Sequence, residues 1–209
     1  MDFTAERKAM VDSQVRVNDV TSHEIHKAMM AVPRENYCAP DRIFAAYSDA
    51  EVEIAADRRL MPARDLSKLL QAADAREGEK ALAIAAPYAA AVLARMGLTV
   101  TAQEAEQAVF DVVGAALEAE GVATALAPLS RPVGEGWDLI VCEGGVAAVP
   151  DAWGAALRIG GRMVLVERRG AIGKAALYTK GREGLSRREL FDSSPALLAE
   201  LTPAPSFAL

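Results

Sequence analysis

Leu82-Ala83-Ile84-Ala85-Ala86-Pro87-Tyr88 is an apolar strand that runs directly into an Ala-rich helix, Ala89-Ala90-Ala91-Val92-Leu93-Ala94-Arg95-Met96, closed by Gly97. A strand, a tight turn and a helix in this order form the opening of a Rossmann-like unit, where a glycine-rich loop normally cradles a ligand. The turn here, Ala85-Ala86-Pro87, contains no glycine. Glycine permits positive φ and lets a ligand approach the backbone without a Cβ in the way, whereas proline fixes φ and deletes an amide donor. The stretch therefore predicts the scaffold of a ligand-binding α/β domain without its usual loop.

Downstream the alternation continues. Strands are expected over 80–85, 98–102, 122–126, 137–142 and 161–167, and helices over 88–96, 105–120 and 150–158. Ala105, Val109, Val112, Ala116 and Leu117 recur at helical spacing before Gly121 ends the middle helix. Such alternation implies a mostly parallel sheet covered on both faces, with ligands outside the carboxyl ends of its strands. Two last strands, near 175–180 and 186–191, fit an antiparallel pair. Upstream the chain reads as helices. The segment 4–17 places Phe3, Met10, Val11, Gln14 and Val15 near one face, and Thr21-Ser22-His23-Glu24 has the form of a capping box. The second helix stops at Pro33, a short helix is expected over 41–47, a polar irregular stretch follows, and a further helix runs over 62–73. One domain is expected over 1–209, with a helical cap and substrate-loop region over 1–78 and the Rossmann-like core over 79–209.

The 209 residues are 52% hydrophobic and carry a formal net charge of −6. That balance argues against nucleic acid as a partner, since binding to phosphates needs cationic surface. No run approaches the ~20 apolar residues of a membrane span, and the charged opening Met1-Asp2-Phe3-Thr4-Ala5-Glu6-Arg7 is unlike a signal peptide. A cytoplasmic location is the expectation. Cys38 and Cys142 read as buried reduced thiols. His23 and His26 lie three apart on a helix, but nothing nearby supplies a third ligand, so no metal site is assigned. Charge is unevenly spread. Arg158, Arg162, Arg168, Arg169, Lys174, Lys180, Arg182, Arg187 and Arg188 face only Glu167 and Glu183 in their segment. This is either a docking face for an acidic protein or a second copy, or strand edges protected by charge.

Four separated segments resemble the protein-L-isoaspartate O-methyltransferase family. They are Met10-Val11-Asp12-Ser13-Gln14-Val15; Ala28-Met29 with Val32-Pro33-Arg34-Glu35; Ala46-Tyr47-Ser48-Asp49; and Trp137-Asp138-Leu139-Ile140-Val141 through Val149-Pro150 to Leu157-Arg158-Ile159-Gly160-Gly161-Arg162-Met163-Val164. The first three are distinctive of the family, and the fourth is shared by many S-adenosylmethionine-dependent methyltransferases. The resemblance implies an α/β, Rossmann-like S-adenosylmethionine-dependent methyltransferase fold, mostly parallel, with an N-terminal helical cap. It also implies S-adenosylmethionine as cofactor and abnormal isoaspartyl carboxylates in damaged proteins as substrate.

The departures fall on the positions equivalent to the family's site. The family has an acidic residue at the end of the first core strand and then Gly-x-Gly-x-Gly-Tyr. Here Ala83 stands at the acidic position and Ala85, Ala86 and Pro87 replace a loop about two residues longer, before Tyr88 restores the alignment. Glu104 is placed where the family's acid binds the ribose hydroxyls; its other reading is a helix-start acid favoured by the dipole. Leu126-Ala127-Pro128-Leu129 takes the place of the Gly-Asp pair near the adenine. The family's substrate loop, a Thr-x-Ser pattern, maps to Arg58, Arg59, Leu60 and Met61, and no Ser or Thr occurs from Ile54 to Arg64. Arg58 or Arg59 is either a bidentate carboxylate clamp or surface. Glu143, before the expected turn Gly144-Gly145, is either a ligand contact in the cleft or an exposed loop acid. Two functions follow: a family member with catalysis impaired that acts as a binding or regulatory protein, or an active methyltransferase with a divergent loop.

Overall fold

The computed structural model describes residues 2–202. A seven-stranded sheet forms the centre, built from β3 (Lys80–Ile84), β4 (Thr99–Glu104), β5 (Ala123–Leu126), β6 (Trp137–Val146), β7 (Leu157–Glu167), β8 (Lys174–Lys180) and β9 (Leu185–Asp192) in the order β5-β4-β3-β6-β7-β8-β9. The first five are parallel and the last two pair antiparallel. Strand order reverses beside β3, so β4 and β6 flank it and the crevice opens at the carboxyl ends of all three. Helices α4 (Pro87–Arg95), α5 (Gln107–Ala119) and α6 (Asp151–Ala156) make the crossovers. The apolar faces of α4 and α5 bury Val92, Leu93, Val109, Val113 and Leu117 against the sheet.

Ahead of the sheet lie α1 (Phe3–Met10), α2 (His23–Ala31) and α3 (Ala63–Ala73). The three distinctive N-terminal segments converge here as scaffold. The Arg7 guanidinium donates to the Glu35 carboxylate at 3.0 Å and to the Tyr47 hydroxyl at 2.8 Å. Gln14 Nε2 donates to the Tyr47 carbonyl at 2.8 Å, and Arg34 Nε to the Ala46 carbonyl at 2.8 Å. Each bond closes a long loop with a partly or fully buried donor, so these residues hold the cap to itself.

Several expectations are corrected. The helix over 4–17 ends as α1 at Met10, then widens through a π-helical turn (Val11–Val15) and a 3₁₀ turn (Arg16–Asn18). Ser22, not Thr21, caps α2, its Oγ accepting from Ile25 N; Thr21 N instead donates to Gln71 Oε1. The helix over 41–47 is a single 3₁₀ turn, Ile43–Ala45. The polar irregular stretch is a β-hairpin of β1 (Val52–Ala55) and β2 (Arg58–Leu60), turned at Ala56 and Asp57, both with positive φ. No glycine or Asn-Gly pair marks that turn, which is why the pattern hides it. Gly144-Gly145 is not a turn either; β6 continues through both to Val146.

Gly161, inside β7 where its register with β6 shifts, is sterically required. A Cβ on Gly161 would lie 2.7 Å from the Trp137 carbonyl oxygen and 2.9 Å from that of Arg158, whereas one on Gly170 meets nothing within 4 Å. Gly161→Ala is therefore expected to cost about 1–3 kcal/mol in urea unfolding, the usual penalty of forcing backbone shifts. Gly170→Ala should unfold within about 0.5 kcal/mol of the parent.

Candidate functional site

The crevice beside β3 is where a ligand belongs, and its residues are bonded to each other instead. Ala83 is interior to β3, between Ala102 and Val141 of its neighbours. Ala85 follows at φ 51°, a left-handed conformation that costs a non-glycine residue roughly 1–2 kcal/mol, held by its N–H donating to the Gln103 carbonyl at 3.0 Å. The chain thus keeps the backbone turn of a glycine loop while putting a methyl group where the loop would be bare. Ala86 is the unassisted N-cap of α4 and Pro87 its first residue, where a missing N–H does least harm to a helix and most to a ligand seeking an amide. Tyr88 is fully buried, with its ring 5.5 Å from that of Tyr37 and the Arg34 guanidinium 4.7 Å from its centre.

Glu143, in β6, is 1% exposed, which excludes the loop-acid reading. One carboxylate oxygen accepts from Ala89 N in the first turn of α4 at 2.8 Å, the other from Met61 N at 3.3 Å. It satisfies a free helix amide from across the crevice and anchors the end of the hairpin. Burial nonetheless holds its carboxyl above the usual range, opposed by Arg34 and these two amides.

Glu104 is the last residue of β4 rather than the start of a helix, and it is 1% exposed. Arg58, on β2, is 4% exposed and donates from Nε to Glu104 at 2.9 Å. Neither surface arginine nor bidentate clamp describes it: one guanidinium nitrogen holds Glu104 and another lies 3.7 Å from Glu200. Arg59 points the other way along the hairpin and is exposed, so the pair splits. Leu60 and Met61 are fully buried, and Met61 also accepts a 2.5 Å bond from Arg34 at its carbonyl. Desolvation pushes the Glu104 carboxyl up to about 7 despite Arg58, and its second oxygen is buried without a partner.

The segment 193–202, which carried no motif, completes the enclosure. Ser193 Oγ donates to Asp65 at 2.7 Å, and Gly145 exchanges bonds with Ala196 and Leu198, at 2.7 and 2.9 Å. Leu198 packs where a Cβ on Gly144 would stand, 2.9 Å from its side chain. Leu129, Leu198 and Leu201 join Ala85, Ile84 and Val146 in a second apolar cluster that occupies the crevice. Trp153 Nε1 donates to the Leu129 carbonyl at 2.8 Å, and Gln103 pins the loop after β5 through Pro128, Arg131 and Val133. Outside this plug a shallow cleft of about 350 Å³ remains, lined by Ala105, Glu106, Leu126, Ala127, Pro128 and Glu200.

Elsewhere, both cysteines are buried thiols, and His26 Nε2 lies 2.8 Å from the Val20 carbonyl. The basic segment is largely tied down. Arg158 pairs with Asp138, Arg162 with Glu79, Lys174 with Glu189 and Asp192, and Arg187 with Glu167. Arg168, Arg169 and Lys180 donate to main-chain carbonyls, leaving Arg182 and Arg188 outside these pairs. Among the described residues, no helix is long and apolar enough to cross a membrane.

Arg58 and Glu104 generate a pH test. A carboxyl whose pKa is raised on folding contributes stability that is present at acid pH and lost as pH rises through its folded value. Between pH 5 and 8 the protein should lose roughly 3 kcal/mol at Glu104, from 1.36 kcal/mol per pKa unit. Glu104→Gln should flatten that part of the slope in urea unfolding across the pH series. Arg58→Ala should cost about 3–5 kcal/mol at pH 8, since it strands a buried carboxylate.

Comparison with known proteins agrees with this architecture. The profile of the family described as protein-L-isoaspartate(D-aspartate) O-methyltransferase (PCMT) matches residues 5–188. The protein-L-isoaspartate O-methyltransferase of Methylorubrum extorquens is 30% identical over 207 residues, 96% of this chain and 90% of the relative. Protein-L-isoaspartate O-methyltransferase 1 of Rhodopseudomonas palustris is 32% identical over 170 residues, 78% of this chain and 69% of the relative. In fold, the structure of a Plasmodium falciparum protein described as a putative protein-L-isoaspartate O-methyltransferase, in complex with S-adenosyl-L-homocysteine, superposes with a TM-score of 0.78 at 14% identity, over 93% of this chain and 98% of that one. S-adenosylmethionine is the cofactor of this family. In this structure Arg58 bonds Glu104, the turn before α4 carries methyl groups and a proline, and Leu129, Leu198 and Leu201 pack with Ala85. The chain belongs to the protein-L-isoaspartate(D-aspartate) O-methyltransferase family.

Proposed function

We propose that this chain is a family member in which methyl transfer is lost or severely weakened and which serves as a binding or regulatory protein. The observation that carries the reading is the buried Arg58–Glu104 pair, which occupies the acid that the resemblance assigns to the cofactor's ribose. Losing a hydrogen bond to a charged group costs about 1.5–3 kcal/mol, and filling the crevice adds to that. A micromolar site near −8 kcal/mol then becomes millimolar or weaker. The two buried thiols accord with a reducing, cytoplasmic setting. An acidic protein or a second copy remains the proposed partner, with Arg182 and Arg188 as the cations available to it.

A working enzyme acting on isoaspartyl carboxylates is the competing reading. It is favoured by relatives that carry that name across nearly the whole chain and by the retention of Glu104. It requires the hairpin and the segment 193–202 to withdraw together when the cofactor arrives. Calorimetric titration with S-adenosylhomocysteine separates the two. No saturable heat below about millimolar ligand is expected. A micromolar dissociation constant, joined by methylation of an isoaspartyl peptide, would overturn the proposal.

A further inference from the structure

The chain contains two histidines, and both line one groove on the helical cap. The groove, about 440 Å³, lies between the turn after α1 and the face of α2, bounded by Arg16, His23, His26, Lys27, Met30 and Ala31. It shares no residue with the crevice beside β3, and the proposed function does not use it.

Its charge is unusual for an acidic protein. Arg16 and Lys27 supply cations from its two sides, and Lys8 stands behind Arg16 on α1. The opposing groups are Asp12, 3.2 Å from Arg16 and 2.5 Å from Lys8, and Glu24, whose carboxylate is turned to the Ser22 hydroxyl at 3.3 Å. Three cations therefore meet two carboxylates already engaged at the rim. His23 is exposed, with its ring 6.0 Å from that of His26.

His26 gives the groove its chemistry. It is 7% exposed; its Nε2 faces the Val20 carbonyl at 2.8 Å, which makes that nitrogen the N–H donor, and its Nδ1 is buried with no partner. Arg16 and Lys27, at the groove's two sides, supply the positive charge and N–H donors that an anion takes.

We propose that this groove is an anion site for a phosphate or phosphate monoester, held by Arg16, Lys27 and His23 over the wall formed by His26. The two histidines make the test direct, because every imidazole signal in a proton–carbon correlation spectrum reports on the groove. Titration of the full chain with inorganic phosphate, at ionic strength fixed with chloride, should shift both ring signals saturably. The expected dissociation constant is on the order of millimolar at neutral pH. The double variant Arg16→Gln, Lys27→Gln changes two side chains at the protein surface and should abolish the saturable shift while leaving thermal unfolding nearly unchanged. A response to phosphate no larger than that to chloride would overturn the site. A saturable response that survives the double variant would overturn it equally, since the cations would then not be its ligands.

Discussion

A carboxylate at the end of a buried parallel strand cannot be left alone, and Glu104 is in that position. Here a guanidinium from the same chain meets it, Arg58 Nε donating to its carboxylate at 2.9 Å. Arg58 reaches Glu104 only because the hairpin β1–β2 folds inward and buries Val52, Ile54 and Leu60, and Glu200 approaches Arg58 only because the segment 193–202 crosses the crevice mouth. A buried ion pair adds little net stability over a well-packed apolar substitute, but removing either partner is expensive. The pair therefore acts chiefly as a constraint. Any arrangement that opens the crevice must find new partners for both charges.

The same replacement of ligand contacts by internal ones recurs around the site. Ala85 retains a left-handed turn suited to glycine, Pro87 sits where a helix tolerates proline, and Glu143 supplies the α4 amide with an acceptor from across the crevice. Each feature keeps the strand–turn–helix geometry while withdrawing a group that a ligand would contact. Leu129, Leu198 and Leu201 pack with Ala85 in one apolar cluster beside this turn. The scaffold stays intact because its distinctive residues, Arg7, Arg34, Glu35 and Tyr47, bond one another in the cap and do not depend on the crevice being occupied.

Local charge changes meaning once the chain is folded. The segment 158–188 is strongly basic in sequence, yet Arg158, Arg162 and Arg187 find acids from β6, the approach to β3 and β7. Arg162 goes further, donating to the Ala73 and Asp74 carbonyls that end α3 and so fastening the cap to the sheet. A run of like charge in sequence is thus spent largely on holding elements together.

The order of strands and helices from Lys80 onward was legible in the sequence, because apolar periodicity and glycine stops are local signals that each element carries within itself. The absence of glycine between Ile84 and Tyr88 was equally plain. The hairpin at 52–60, the burial of Arg58 and the role of the segment 193–202 were not legible. Arg58 and Arg59 are adjacent identical residues, and which of them enters the core is set by the pleat of a strand whose turn, Ala56-Asp57, has no conventional signature. Glu104 and Glu143 were recognised as candidates, but their partners lie 46 and 54 residues away, and pairings over such distances are decided by packing. Sequence fixes which groups need a partner; only the tertiary structure determines that those partners come from the chain itself, since burying a charge is tolerable only where the fold brings an opposite charge or a free amide to meet it.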